Sequence, residues 1–63
     1  MDHYETLGLT RASSASEIRS AYRIASLRAH PDKGGTAELF ARVQTAYTTL
    51  SNPELRRAYD DRI

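Results

Sequence analysis

His30, Asp32 and Lys33 place an imidazole, a carboxylate and an ammonium within four residues, with Pro31 between the first two. Such a set could move a proton, ligate a metal, or exchange hydrogen bonds with a partner's surface. The rest of the chain supplies little for the first two uses. A hydrolytic site needs a nucleophile, a base and oxyanion donors converging in one pocket. This chain has 63 residues and no cysteine, and its serines gather at helix starts, where capping explains them. Zinc takes four ligands at a typical spacing, and His3 and His30 are the only imidazoles. The expectation is a protein that is not an enzyme and holds no metal or cofactor.

Presentation to a partner is the use that the local design suits. Pro31 fixes its own φ and disfavours helical geometry at His30, so a helix arriving from the N-terminal side should stop near Ala29. Gly34 and Gly35 then let the backbone reverse at little steric cost. A helix stop needs proline and glycine, but it needs neither His30 nor Asp32. Those two side chains should stand on a stiffened bend between two helices.

Four helices can be read around that bend, and no strand or repeat. Tyr4, Leu7 and Leu9 suit a single helical turn closed by Gly8. Ser14 as N-cap and Glu17 three residues on form a capping box for a second helix running to about Ala29. Measured from Ile18 at 100° per residue, Ala21, Tyr22, Ala25 and Ala29 fall within roughly 60° of it. That apolar stripe is thin, so the partner helix must supply bulk. A third helix, capped by Thr36 with Glu38 in its first turn, does so through Phe40, Val43, Tyr47 and Leu50, flanked by Leu39 and Ala46. Asn52 and Pro53 open a fourth helix to about Asp61, with Leu55, Ala58 and Tyr59 as a small docking face. The short connection predicts that the second and third helices pair antiparallel.

Composition bounds the partner. The formal net charge of +1 is too mild to argue for nucleic acid from bulk charge. No apolar run nears the ~20 residues that span a bilayer, and Met1-Asp2-His3-Tyr4 lacks a signal peptide's regions. A soluble, monomeric domain is expected. With no cysteine there is no disulfide framework, and an intracellular setting such as the cytosol or mitochondrial matrix is expected. On the second helix, Arg19 and Arg23 lie one turn apart on a flank away from Ile18, with Tyr22 at their border. Their edge leads towards His30 and Asp32. Arg28 lies about 140° round from Arg23 and does not extend it. An acidic partner could meet this edge while the turn fixes how it docks.

These residues resemble the J domain of DnaJ-like co-chaperones over essentially the whole chain. Tyr4-Glu5-Thr6-Leu7-Gly8-Leu9 is similar to the family's opening motif, and Glu17 to Arg23 resembles its second helix. His30-Pro31-Asp32-Lys33 matches its signature. Ala46-Tyr47-Thr48-Thr49-Leu50-Ser51, followed by Arg57-Ala58-Tyr59-Asp60, resembles its third and fourth helices. A tripeptide alone recurs by chance, whereas four motifs in order do not.

The resemblance implies an all-α four-helix J domain over residues 1–63; the expectation is that it is excised from, or is the N-terminal part of, a longer protein. It implies a domain that binds the ATP state of a DnaK-type (heat-shock protein seventy) chaperone and stimulates its hydrolysis. By matching position, Arg19, Tyr22 and Arg23 would dock on the chaperone's ATPase domain. His30, Pro31 and Asp32, with Lys33 beside them, would act near its interdomain linker. Several positions depart from the family's usual residues. Ser20 and Ile24 stand where Lys or Arg is common, which reduces the basic footprint. Ala25 and Ala29 replace leucine and an aromatic residue, which thins the core and predicts modest stability. Ile24 and Leu27 should form a small outward apolar spot. The compact Lys33-Gly34-Gly35 link resembles that of some viral T-antigen and mitochondrial import-motor members.

Two rival functions compete with this one. A helix-turn-helix nucleic-acid binder would use the third helix for recognition, which carries only Arg42. A J-like scaffold without activity would fit the reduced basic face, but not an intact His30-Pro31-Asp32.

Overall fold

The computed structural model describes residues 1–63. Local chemistry at each helix start sets its boundaries. The chain enters α1 (His3–Thr6) through a capping box: Asp2 accepts from the Glu5 amide at 2.7 Å, and Glu5 accepts from the Asp2 amide at 3.1 Å. The turn closes in a Schellman arrangement, with Leu9 N–H donating to Tyr4 C=O and Gly8 N–H to Glu5 C=O. α2 (Ala15–Ala29) opens on the predicted Ser14–Glu17 box, with both bonds made. Thr36 caps α3 (Ala37–Leu50) by accepting from Leu39 N–H, and Asn52 caps α4 (Pro53–Arg62) by accepting from two amides.

α2 and α3 form the antiparallel hairpin. Tyr22 stacks on Tyr47 at 4.1 Å between ring centroids, and nearer the turn His30 meets Phe40. As one helix's numbering rises its neighbour's falls. α1 and α4 each pack against α3. The four helices make an all-α body of about 35 × 20 × 16 Å.

The core is small because the α2 stripe is small. Tyr4, Leu7, Ile18, Ala29, Val43, Ala46 and Leu50 are buried, with Leu9, Ala21, Tyr22, Ala25, Phe40, Tyr47 and Tyr59 packed around them. Two expected placements change. Ala46 is fully buried rather than flanking, while Leu39 is exposed. Leu39 stands in the first turn of α3, at the rim of a groove beside Leu7 and Val43, while Ala46 lies further along the helix. On α4, Leu55 is 47% exposed and Ala58 is also exposed, so the expected docking face is not formed by them. Tyr59 docks as expected, and Arg56 and Asp60 take the place of the other two, because α4 approaches the N-terminal segment through polar contacts.

Candidate functional site

Helix α2 stops where proline requires. His30 adopts φ −64° and ψ 134°, outside the helical region, and Pro31–Lys33 form one 3-10 turn. Lys33 N–H and Gly35 N–H both donate to His30 C=O, at 2.9 and 3.0 Å, and Gly34 N–H donates to Pro31 C=O at 3.2 Å. The two glycines do different jobs. Gly34 takes a left-handed φ of +89°. Gly35 does not, but a Cβ there would lie 2.0 Å from the Ala29 carbonyl oxygen. The reversal thus needs one glycine for its backbone angle and the other for close approach.

This frame positions the site's side chains. His30 Nδ1 accepts from the Asp32 amide at 3.1 Å. A neutral ring in this arrangement carries its proton on Nε2 and offers it outward. The Phe40 ring stands edge-on to the imidazole, with centroids 6.1 Å apart and planes at 86°. Asp32 has its side chain 87% exposed, with Oδ2 3.8 Å from His30 Nδ1. A carboxylate so open is available to a partner's cation. Lys33 is exposed beside it.

Arg19 and Arg23 are exposed on α2 and make no ion pair; the carboxylate–guanidinium pair of the molecule lies elsewhere, at Arg56–Asp60. Arg23 sits about 10 Å along the helix axis from His30. Tyr22 is half-buried in its stack on Tyr47, so its ring braces the hairpin as well as bordering the arginines. All seven residues singled out in the sequence therefore lie on α2 or the turn that ends it.

The sequence reading missed a second polar cluster, between the N-terminal segment and α4. Tyr4 Oη donates to Asp60 at 2.5 Å and accepts from Arg56 Nε at 3.0 Å. Arg56 also donates to the carbonyls of Ser13 and Arg11, at 2.6 and 3.2 Å, and Arg11 donates to the Asp60 carbonyl. Tyr59 accepts from His3 N–H and stacks on its ring at 4.5 Å. Burial pushes the Tyr4 phenol above its ordinary value, and the bond to Asp60 acts in the same direction. Arg56 and Asp60 at i and i+4 were the available signal; their partners, more than forty residues away, were not. This cluster is structural and stands apart from the turn.

An exposed turn with a fixed imidazole and a free carboxylate, led into by unpaired arginines, is equipped to bind a protein surface. The chain belongs to the DnaJ domain family, whose model matches residues 2–60. It is 47% identical over 62 residues to the DnaJ homolog subfamily B member 12 of Mus musculus, covering 94% of this chain and 16% of that protein. It is similarly 46% identical over 63 residues to the chaperone protein DnaJ of Deinococcus proteolyticus, covering 94% of this chain and 20% of that one. A DnaJ protein homolog of Cucumis sativus is 45% identical over 58 residues, covering 92% and 14%. The chain thus spans at most about a fifth of the length of these relatives.

Proposed function

We propose that this domain is a co-chaperone module that binds a DnaK-type chaperone in its ATP state and stimulates hydrolysis through the His30-Pro31-Asp32 turn. It performs no chemistry itself and acts as a monomer, without a cofactor. The observation that carries the reading is the turn's construction. Pro31, the shared His30 carbonyl and the Gly35–Ala29 approach hold His30 and Asp32 outward in one geometry. Arg19 and Arg23, with Tyr22 beside them, steer and hold an acidic surface of the chaperone's ATPase domain. The turn then reaches the region where hydrolysis is controlled, with Lys33 beside it. Stimulation is allosteric: the domain binds the hydrolysis-competent arrangement more tightly than the resting one, and that difference shifts the chaperone's equilibrium.

Single-turnover ATP hydrolysis by a DnaK-type chaperone tests this, with the parent domain and with His30→Gln and Asp32→Asn. Stimulation by the parent, lost in both variants while their folds persist, is the expected result. Equal stimulation by all three would remove the turn from the mechanism. A folded parent that binds the chaperone without accelerating hydrolysis would favour the scaffold reading, which the neutral Ser20 and Ile24 on the docking helix keep in contention.

A further inference from the structure

The outer face of α2 carries more than its arginines. Ile24 is 54% exposed and Leu27 is 61% exposed, three residues apart on the same helix. Side chains at that spacing are neighbours about 5–6 Å apart at Cβ. Leu27 follows Arg23 by four residues and precedes His30 by three, so one ridge runs Arg19, Arg23, Leu27 and then reaches the turn. Arg28 follows Ile24 by four residues and closes the other side. The aliphatic pair is thus flanked by Arg23 and Arg28, whose guanidinium groups have no carboxylate partner within the molecule, while Ile24 also borders the groove beside Leu7 and Leu39. An apolar centre within a charged rim is how protein interfaces are commonly built, with the rim excluding water from the contact.

We propose that Ile24 and Leu27 are a specificity-determining patch, which selects a DnaK-type chaperone whose acidic docking surface carries an aliphatic spot. This rests on the co-chaperone reading above and refines it. Charge complementarity names the occupant: the cationic rim takes carboxylates, and the pair at its centre takes an apolar side chain among them. A second copy of this chain fits poorly, because face-to-face pairing of α2 would oppose Arg23 and Arg28 with like charges. Position 24 carries most of the selectivity. A cation there would add attraction to any acidic surface, whereas isoleucine forgoes that attraction and gains only if the partner is apolar opposite it.

The test measures binding of the parent domain, Ile24→Gln, Leu27→Gln and Ile24→Arg to the ATP-bound DnaK-type chaperone of the same cell, at low and moderate salt. These residues are exposed and the replacements suit a helix, so circular dichroism should show unchanged folds. Each glutamine variant should bind about tenfold more weakly, with the salt dependence of the parent. Ile24→Arg should also bind more weakly, against the direction that net charge alone dictates. Tighter binding by Ile24→Arg, or parent-like binding by both glutamine variants, would overturn the patch while leaving the co-chaperone reading intact. Self-association of the parent that Ile24→Gln abolishes, with chaperone binding unchanged, would assign the patch to a second copy and overturn the proposal. A parent that does not bind the chaperone would overturn both readings together.

Discussion

Gly35 lies against the backbone of Ala29, so close that a Cβ on it would fall 2.0 Å from the Ala29 oxygen and 2.2 Å from its carbonyl carbon. This approach seals the end of α2 against the start of α3 and fixes the bend from which His30 and Asp32 project. A neighbouring backbone cannot move aside as a flexible side chain can. The glycine is therefore a geometric requirement of the turn, six residues beyond the helix it closes.

Gly35→Ala and Gly34→Ala should consequently differ in kind. Alanine at 35 must push the two backbones apart, which should cost about 2–4 kcal/mol and lower chaperone stimulation even among folded molecules. Alanine at 34 meets nothing within 4 Å and pays only for its φ of +89°, about 1–2 kcal/mol. Denaturant unfolding and single-turnover hydrolysis at saturating domain separate the two. Equal effects of both substitutions on hydrolysis would remove the special role of position 35.

Arg56 joins α4 to the N-terminal segment through the Tyr4 phenol and two carbonyls. Arg56→Gln should destabilise the domain by about 2 kcal/mol, since partly buried acceptors lose a charged donor. Stimulation per folded molecule should persist, because the turn shares no bond with this cluster. Tyr4→Phe should cost about 1–2 kcal/mol by removing the donor to Asp60 and the acceptor for Arg56. Chemical denaturation checks both, and a variant that stayed as stable as the parent would assign the cluster no energetic role.

Glu17 links the α2 cap to pH. The Ser14 backbone amide, and then its side chain, hold the Glu17 carboxyl below its ordinary value. A carboxyl lowered in the folded state adds stability above its unfolded value, and that stability is lost as pH falls through the folded one. The parent should therefore melt higher than Glu17→Gln near pH 7, and the gap should narrow once pH drops below the usual glutamate range. Thermal melts of both proteins across that range are the check, and a gap constant with pH would count against the capping charge.

Ala25 borders a groove of about 440 Å³ walled by Leu7, Ala21, Ile24, Leu39 and Val43, among others. Ala25→Leu should place its added carbons there without overpacking, and raise stability by about 1 kcal/mol. An increase in the denaturation midpoint at unchanged slope is the expected reading. A lower midpoint would mean that the groove cannot accept the side chain.

The helix starts were legible because capping is local: Ser14, Thr36 and Asn52 act on amides two or three residues away. The stop at Ala29 followed from Pro31 for the same reason, and the thin stripe of α2 correctly implied a small core. The outward positions of Arg19, Arg23, Ile24 and Leu27 came from helical period alone. The candidate site was legible to that extent, as a ridge leading to a bend.

What only the tertiary structure decided were relations between segments that meet in space. That Gly35 serves close approach depends on where the Ala29 carbonyl lies once the hairpin closes. The orientation of His30 depends on Phe40 arriving edge-on from α3 and on the Asp32 amide pointing back at Nδ1. Ala46 rather than Leu39 enters the core, and Leu55 stays outside while α4 is held to the N-terminal segment through Arg56, Tyr59 and Asp60. Helical period and capping act over a few residues and can be read along the chain. Bonds spanning more than forty residues, and contacts between backbones, exist only after packing has chosen which faces meet.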